Sequence, residues 1–516
     1  MKTRALLGFA VLAAAVPALA DDAAPPPKTP EWRVDGSYRL RFAQQTDVPL
    51  DTDAAGAFDR LGQTTFLEQR LRFEPKVVAE HFDAGLQLDL LSGLLSSSPG
   101  LADSFDGYPT LQRSQTLTQN PGVAFRKLYL DWRSPVGLVS VGQMASEWGL
   151  GMLANSGDGE GNVDWGDKRF GDLVDRVLFA TRPLALATGG RNTEDLVLAL
   201  GADLVYSDAT SQLLLHDANG FHLGDQTVQG LLALRWTRPW GELGAYGVRR
   251  HEQFRSAASD TLDAWIGDVY GRVHGRLGGL DALGEAEAAF VSGSTTYVRT
   301  LAAPTGTSVR QGGGVLRGTL GRERNEASLE VGFASGDTSP FDGEVTNFSF
   351  NRDYKVSLLL FDEVLAWQTA RAAVRLADPN LVGQPPSGVG LLPTSGAVSN
   401  ALYVKPTVRW RPARVERLLL LASVLYARAA AAPLDPYASF ACGGCANNAF
   451  GGKAGLSYGW ELDLGGSYHI PLSPKVDLEL GAQGGLLLPG DAFSLPDGGA
   501  MPNIGGGRLR ATLTWL

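Results

Sequence analysis

The closing stretch of the chain, Leu509 to Leu516, constrains the fold more than any other. In a strand, successive side chains point to opposite faces. Leu509, Ala511, Leu513 and Trp515 therefore share one face, and Arg510, Thr512 and Thr514 the other. An apolar face ending in an aromatic, backed by a polar face, suits a wall with lipid on one side and water on the other. In a bilayer such strands are stable only in a closed barrel, because an open edge would leave backbone N–H and C=O groups unpaired in hydrocarbon. The expected fold class is all-β, a transmembrane antiparallel up-and-down β-barrel.

The opening stretch agrees. Lys2 and Arg4 precede a nearly continuous apolar run from Ala5 to Val16, and Ala18-Leu19-Ala20 has the small-residue pattern of a signal-peptidase site. Residues 1–20 read as a signal peptide. The competing reading, a membrane anchor, needs a span of about 20 apolar residues, and this run is shorter. Residues 21–30 read as a Pro-rich, extended periplasmic leader, and 31–516 as the barrel. No plug domain precedes the first strand, which disfavours an energised transporter.

Sixty-four glycines, four methionines and no apolar run of 18 residues after the signal argue against helical membrane spans. The 45 basic residues against 55 acidic ones, a net of −10, exclude a general nucleic-acid binder. The two signs segregate along the chain, so the average charge says little about local chemistry.

Apolar/polar alternation recurs near 31–44, 64–79, 84–93, 122–133, 137–147, 171–182, 193–206, 224–238, 241–254, 261–276, 282–297, 309–322, 326–335, 401–412, 415–429, 453–469, 474–487 and 504–516. That makes about eighteen strands, and single-chain bacterial barrels have even numbers. Short turns such as Ser134-Pro135-Val136-Gly137 and Arg238-Pro239-Trp240-Gly241 alternate with long loops near 46–63, 94–121, 147–170, 336–400 and 430–452. Short periplasmic turns and long extracellular loops put both termini in the periplasm and the barrel in the bacterial outer membrane. A β-sandwich with uneven loops competes but explains neither end of the chain. Within the longest connection, Val356 to Leu376 lacks strict alternation and is rich in helix formers. A helix is expected there, capping the mouth or folded into the lumen as a constriction, with an additional pair of strands as the competitor.

Three segments carry a family resemblance. Gly142-Gln143-Met144-Ala145-Ser146-Glu147-Trp148-Gly149-Leu150-Gly151-Met152 is a strand running into a Gly-rich loop. Ala334-Ser335-Gly336-Asp337 ends a later strand, and a Phe-rich loop from Phe348 through Tyr354 to Phe361 follows it. These resemble an uncharacterised family of proteobacterial outer-membrane barrels, itself similar to the alginate-export porins. The family-like positions are Gly142, Gln143, Trp148, Gly149, Gly151, Gly336, Asp337 and Tyr354. The resemblance implies a single barrel that conducts a solute or polymer. It does not carry over alginate as cargo, because the export porins' full Phe/Pro loop pattern is absent.

Giving each strand's apolar face to lipid leaves the other face to the lumen. Arg39 and Arg41 then face inward from the first strand, with Arg33 nearer its start, and Arg70 and Arg72 from the second beside Glu68. Arg235, Arg317, Lys405 and Arg409 follow around the wall, and Arg508 and Arg510 come from the last strand, which must pair with the first. A basic patch is expected where first, second and last strands meet. Fixed cations in a confined pore concentrate anions, and guanidinium grips carboxylate or phosphate through two hydrogen bonds. Two readings compete with selectivity: ion pairing with Glu68, Asp89, Asp131 or Asp268 across the wall, and contact with lipopolysaccharide at the rim.

The extracellular loops carry the opposite sign. Asp47, Asp51, Asp53 and Asp59 sit in the first, and Asn155, Asp158, Glu160, Asn162, Asp164 and Asp167 crowd the Gly-rich third. A solvated, turn-rich loop is expected there, with a calcium site as the minor reading because EF-hand spacing is absent. Cys442 and Cys445 are expected to form a small disulfide stapling a loop tip, as suits an oxidising compartment. Gly455-Leu456-Ser457-Tyr458-Gly459 matches a nucleophile-elbow pattern, but inside an alternating strand rather than at a strand-to-helix turn.

These readings converge on a non-enzymatic channel without metal or cofactor, passively moving a polar or anionic solute or an exported polysaccharide. The alternative is a structural or adhesive surface barrel with an occluded lumen. The expected partners are outer-membrane lipid, lipopolysaccharide and, through the C-terminal strand, the barrel-assembly machinery.

Overall fold

The computed structural model describes the chain except residues 1–28, 46, 53–55, 63, 98–122, 159–163, 169–170, 190–194, 218–219, 256–259, 323, 340, 379 and 384–386. The signal peptide and most of the leader lie outside the described residues, as do Asp53, Glu160 and Asn162.

Period-two alternation becomes eighteen wall strands: β1 Glu31–Gln45, β2 Thr64–Val78, β3 Phe82–Ser97, β4 Val123–Ser134, β5 Gly137–Ser146, β6 Asp172–Thr181, β7 Asp195–Ser207, β8 Gln226–Arg238 and β9 Gly241–Gln253, then β10 Thr261–Leu277, β11 Leu280–Thr295, β12 Thr307–Arg322, β13 Asn325–Ala334, β14 Ala401–Trp410, β15 Leu418–Ala429, β16 Ser457–Ser473, β17 Val476–Pro489 and β18 Ile504–Trp515. Each pairs antiparallel with its neighbours in sequence, and β18 closes on β1 from Gly36↔Trp515 to Gln45↔Gly506. Closure leaves the wall no edge, which is what hydrocarbon demands. Every segment expected to be a strand is one, with ends shifted by a few residues.

The outward face is apolar and exposed. Leu232 and Leu234 of β8, Val269 of β10, Leu316 of β12 and Val408 and Trp410 of β14 all lie on it. No described helix is long and apolar enough to cross a membrane; the crossing is made by strands. A closed, even-numbered wall with an exposed apolar belt is the architecture of the outer membrane.

Much of the inward face meets loops instead of open water. The connection 335–400 leaves the wall after β13 and returns as β14, which pairs directly with β13 from Asn325↔Trp410 to Ala334↔Ala401. It therefore adds no pair of strands to the wall; of its described residues only Glu344–Val345 joins the sheet, parallel to β12 at Ser308 and Val309. A π-helical turn, Leu360–Leu365, runs into helix α1, Ala366–Leu376. Phe348, Phe350, Leu358, Leu359, Phe361 and Trp367 of this connection form one buried cluster with Tyr403, Leu425, Leu487 and Ile504 of the wall. The π turn is fixed to the wall inside the barrel, where Glu461 accepts the Leu360 N–H at 2.8 Å, whereas α1 packs on loop residues toward the mouth, Gln368 donating to the Pro49 carbonyl at 3.1 Å.

Gly36 sits at the closing seam, where an added Cβ would lie 2.4 Å from the Trp515 ring and 2.6 Å from the Arg72 carbonyl oxygen. Gly36→Val should destabilise the closed barrel by about 1–3 kcal/mol through overpacking. Gly318→Val, which meets nothing within 4 Å, should not. Heat-modifiable mobility of the refolded variants in denaturing gels, scored as the closed fraction against urea, separates the two.

Candidate functional site

The lumen is built from inward-facing strand positions, and the structure brings the expected cations there. Because β18 pairs with β1 and β1 with β2, Arg41 lies opposite Arg510, and Arg39 opposite Arg70. Arg39, Arg41, Arg70, Arg72, Arg508 and Arg510 thus gather in one sector, with Arg39, Arg41, Arg70 and Arg72 all buried. Arg33 stands apart near the start of β1, half-exposed and paired with Glu31 at 3.1 Å.

What the sequence did not show is where their counter-charges come from. The loop 147–171 folds inward and brings Asp167 between the first and last strands. Asp167 accepts from Arg41 at 2.6 Å and from Arg510 at 3.0 Å, and lies 3.5 Å from Arg39. Glu68 pairs with Arg41 at 2.6 Å. Arg72 grips Asp89 with two bonds of 2.7 and 2.8 Å and reaches Asp158 of the loop at 3.2 Å. Burial alone would raise the Asp167 carboxyl, but Arg39, Arg41 and Arg510 outweigh it and hold it well below the usual carboxylate range. It therefore stays ionised, and its pairs persist, as pH falls through the range where an ordinary carboxylate protonates.

Pairing continues around the wall. Arg235 meets Glu242 at 2.6 Å, and Arg317 donates to Glu285 at 2.8 Å and stands 3.6 Å from Glu330. Lys405 lies 3.7 Å from Glu330 and donates to the Val356 carbonyl at 3.3 Å. Arg409 donates to Asp164 at 2.9 Å and also pairs with Glu326. Arg508 holds Asp362 and Glu363 of the π turn, each at 2.8 Å. Of the wall acids offered as arginine partners, Glu68 and Asp89 take that place. Asp268 does not: it accepts from Trp148 Nε1 at 2.9 Å.

For its described residues, 155–158 and 164–167, the expectation of a solvated loop is corrected. Asn155 is 1 % exposed and Asp167 4 %, because these side chains are drawn inward by the arginines and by hydrogen bonds to the other infolded loop. Asn351 donates to Asp172 at 2.7 Å, and Gly171 N donates to Asp353 at 2.6 Å, tying the two loops together. Among the described residues no cluster of His, Cys, Asp or Glu could hold a metal.

Two of the family-like positions are hinges of the infolding. Gly149 (φ +59°) and Gly151 (φ +78°) adopt left-handed backbone, which turns the chain inward just after β5. Trp148 then stacks on Tyr246 at 5.5 Å, and Glu287 of β11 accepts the Leu150 N–H. Gly142 (φ +123°) lies so close to β4 that a Cβ would sit 2.2 Å from the Leu128 carbonyl oxygen. Gln143 donates outside to the Phe125 carbonyl at 3.2 Å. At Gly336 a Cβ would sit 1.8 Å from Asn400 Oδ1, and Asp337 accepts from Ser339 N and Thr346 N at 2.9 and 3.2 Å. Tyr354 is buried edge-on to Phe350 at 5.6 Å.

Sequence reading missed Glu461, Glu287 and Trp165. Glu461 of β16 accepts the backbone N–H groups of Leu358, Leu359 and Leu360 at 2.9, 2.7 and 2.8 Å, fixing the start of the π turn to the wall. Its inward parity beside outward Trp460 and Leu462 was the available signal. Trp165 is fully buried against Gly465, and nothing in the loop's own composition announced it. Toward the mouth, Asp51 meets Arg371 and Arg375 of α1 at 3.0 and 2.5 Å. Arg375 lies 4.1 Å over Tyr437 in a short helix, Pro436–Ala441. Cys442 and Cys445 follow it, their Cα atoms 5.8 Å apart and their sulfurs joined.

No protein-family model and no curated protein matches the chain. Among solved structures it is similar to OccK9 (OpdG) of Pseudomonas aeruginosa, at 12% identity and TM-score 0.49 over 93% of this chain and 98% of that one. It is also similar to OprD of the same organism (10%, 0.48, 93% and 93%) and to OccAB1 of Acinetobacter baumannii (11%, 0.48, 93% and 96%).

Glu461→Ala should leave three buried N–H donors unpaired and lower stability by about 3 kcal/mol or more, at about 1–3 kcal/mol per orphaned group. A fall in the urea midpoint with new proteolysis within 356–376 checks this. For the cysteines, maleimide should label neither thiol of the unfolded chain without reductant and both after it.

Proposed function

We propose that the barrel is a passive channel for a small polar or anionic solute. The observation that carries this reading is the arc of partly water-exposed charge inside the wall from β8 to β14. Arg235, Arg272, Arg317 and Arg409 each retain a quarter to a third of their side-chain exposure while paired to acids. Wet, fixed charges around a lumen are what a selective pore needs, whereas a purely structural interior has no use for them.

The same geometry tempers the selectivity. Asp158, Asp164 and Asp167 neutralise much of the arginine cluster, so the pore's preference for anions is moderate rather than absolute. Small solutes suit it better than a polysaccharide, since the two infolded loops share a packed core where an alginate-export type of channel would need an open bore. That core, with Phe348, Phe350, Trp367 and Tyr403 buried together, also favours the second reading, a surface barrel with an occluded lumen.

Planar-bilayer recording in a salt gradient decides among them. Reversal potentials should show anion preference, and Asp167→Asn should increase both that preference and the conductance. Cation preference would defeat the anion assignment, and no conductance at all would favour the occluded barrel.

A further inference from the structure

The outward face of β8 to β11 departs from the smooth apolar belt. A groove of about 520 Å³ runs over it, walled by Leu232, Leu234, Val269 and Phe290 and floored in part by Gly247 and Gly267. A Cβ added at either glycine would meet nothing within 4 Å. This side of the wall faces lipid, so the groove is a slot for something in the membrane.

Directly above it, toward the long loops, the same face turns polar and basic. Arg249 lies opposite Trp265, Trp265 opposite Ser292, and Ser292 opposite Arg310, all at one level two residues beyond Gly247, Gly267 and Phe290. Trp265 is 64 % exposed and lies under the Arg249 guanidinium, 5.4 Å from ring centroid to carbon. Exposed tryptophan at this height marks the membrane interface. Arg249 and His251 share Asp263 at 2.9 and 3.1 Å. Arg310 is exposed and makes no ion pair or hydrogen bond among the described residues. Three strand spacings, about 14 Å, separate Arg249 from Arg310.

We propose that this face is a binding site for a phosphorylated glycolipid of the outer leaflet, of the lipid A type. Its acyl chain lies in the groove, and its two phosphates reach Arg249 and Arg310 across the Trp265 platform. Three features favour this occupant over a second copy of the chain. The groove opens to lipid at acyl-chain height. The cations sit on the extracellular side, where the outer leaflet carries its phosphates. Their separation suits a disaccharide headgroup with a phosphate at each end better than a lipid with a single phosphate. The site lies outside the wall and does not depend on what passes through the lumen.

Native mass spectrometry of the refolded full-length barrel tests it, with diphosphoryl lipid A, its dephosphorylated form and phosphatidylglycerol as probes. The diphosphoryl form should be retained about tenfold more than either control. Arg310→Ser, which removes no hydrogen bond or ion pair among the described residues, should erase most of that preference. Gly267→Leu, whose Cβ meets nothing within 4 Å and whose side chain projects into the slot, should lower retention of lipid A with or without its phosphates. Heat-modifiable mobility confirms that each variant is closed, and if Gly267→Leu fails to close, Gly247→Leu fills the same slot. Equal retention of all three lipids, an unchanged Arg310→Ser variant, or a dimer of the chain in place of bound lipid would each overturn the proposal.

Discussion

Asp167 joins three parts of the molecule that are far apart in sequence. It belongs to a loop after the fifth strand, yet it lies between Arg41 of the first strand and Arg510 of the last. One carboxylate therefore reinforces the closing seam and holds the loop inside. Buried arginines without this partner would be costly, since breaking a buried pair leaves an uncompensated charge at about 3–5 kcal/mol. The wall and the infolded loop are thus mutually dependent. The wall supplies cations that could not be buried alone, and the loop supplies anions that would otherwise be drawn to water.

The same logic recurs beside it, on the last strand and two strands further on. Arg508 holds Asp362 and Glu363, while Glu461 collects three backbone donors at the start of the π turn. Charge fixes where each loop enters, and apolar burial fills the space between. Met152 and Trp165 of one loop share a core with Phe350, Phe361 and Trp367 of the other. The outcome is a barrel whose middle is protein and whose remaining wet surface is lined by paired charge.

The wall was legible from alternation, because lipid on one side and protein or water on the other forces a period of two. Inward parity located Arg39, Arg70 and Arg508 for the same reason. The partners were not legible. Asp158, Asp164 and Asp167 lie in a Gly-rich, acidic stretch whose composition reads as solvated, and only tertiary folding turns it inward. The glycines that make this turn, Gly149 and Gly151, were noticed through a resemblance rather than through their backbone geometry. Local pattern reports which face a residue takes; it does not report which distant segment will cover that face.

The wall holds the loops inside the barrel. Hydrogen–deuterium exchange on the refolded barrel tests this most directly at the amides of Leu358, Leu359 and Leu360, which donate to Glu461. Protection matching that of the central wall strands is the expected result. Exchange as fast as in an open surface loop would contradict it.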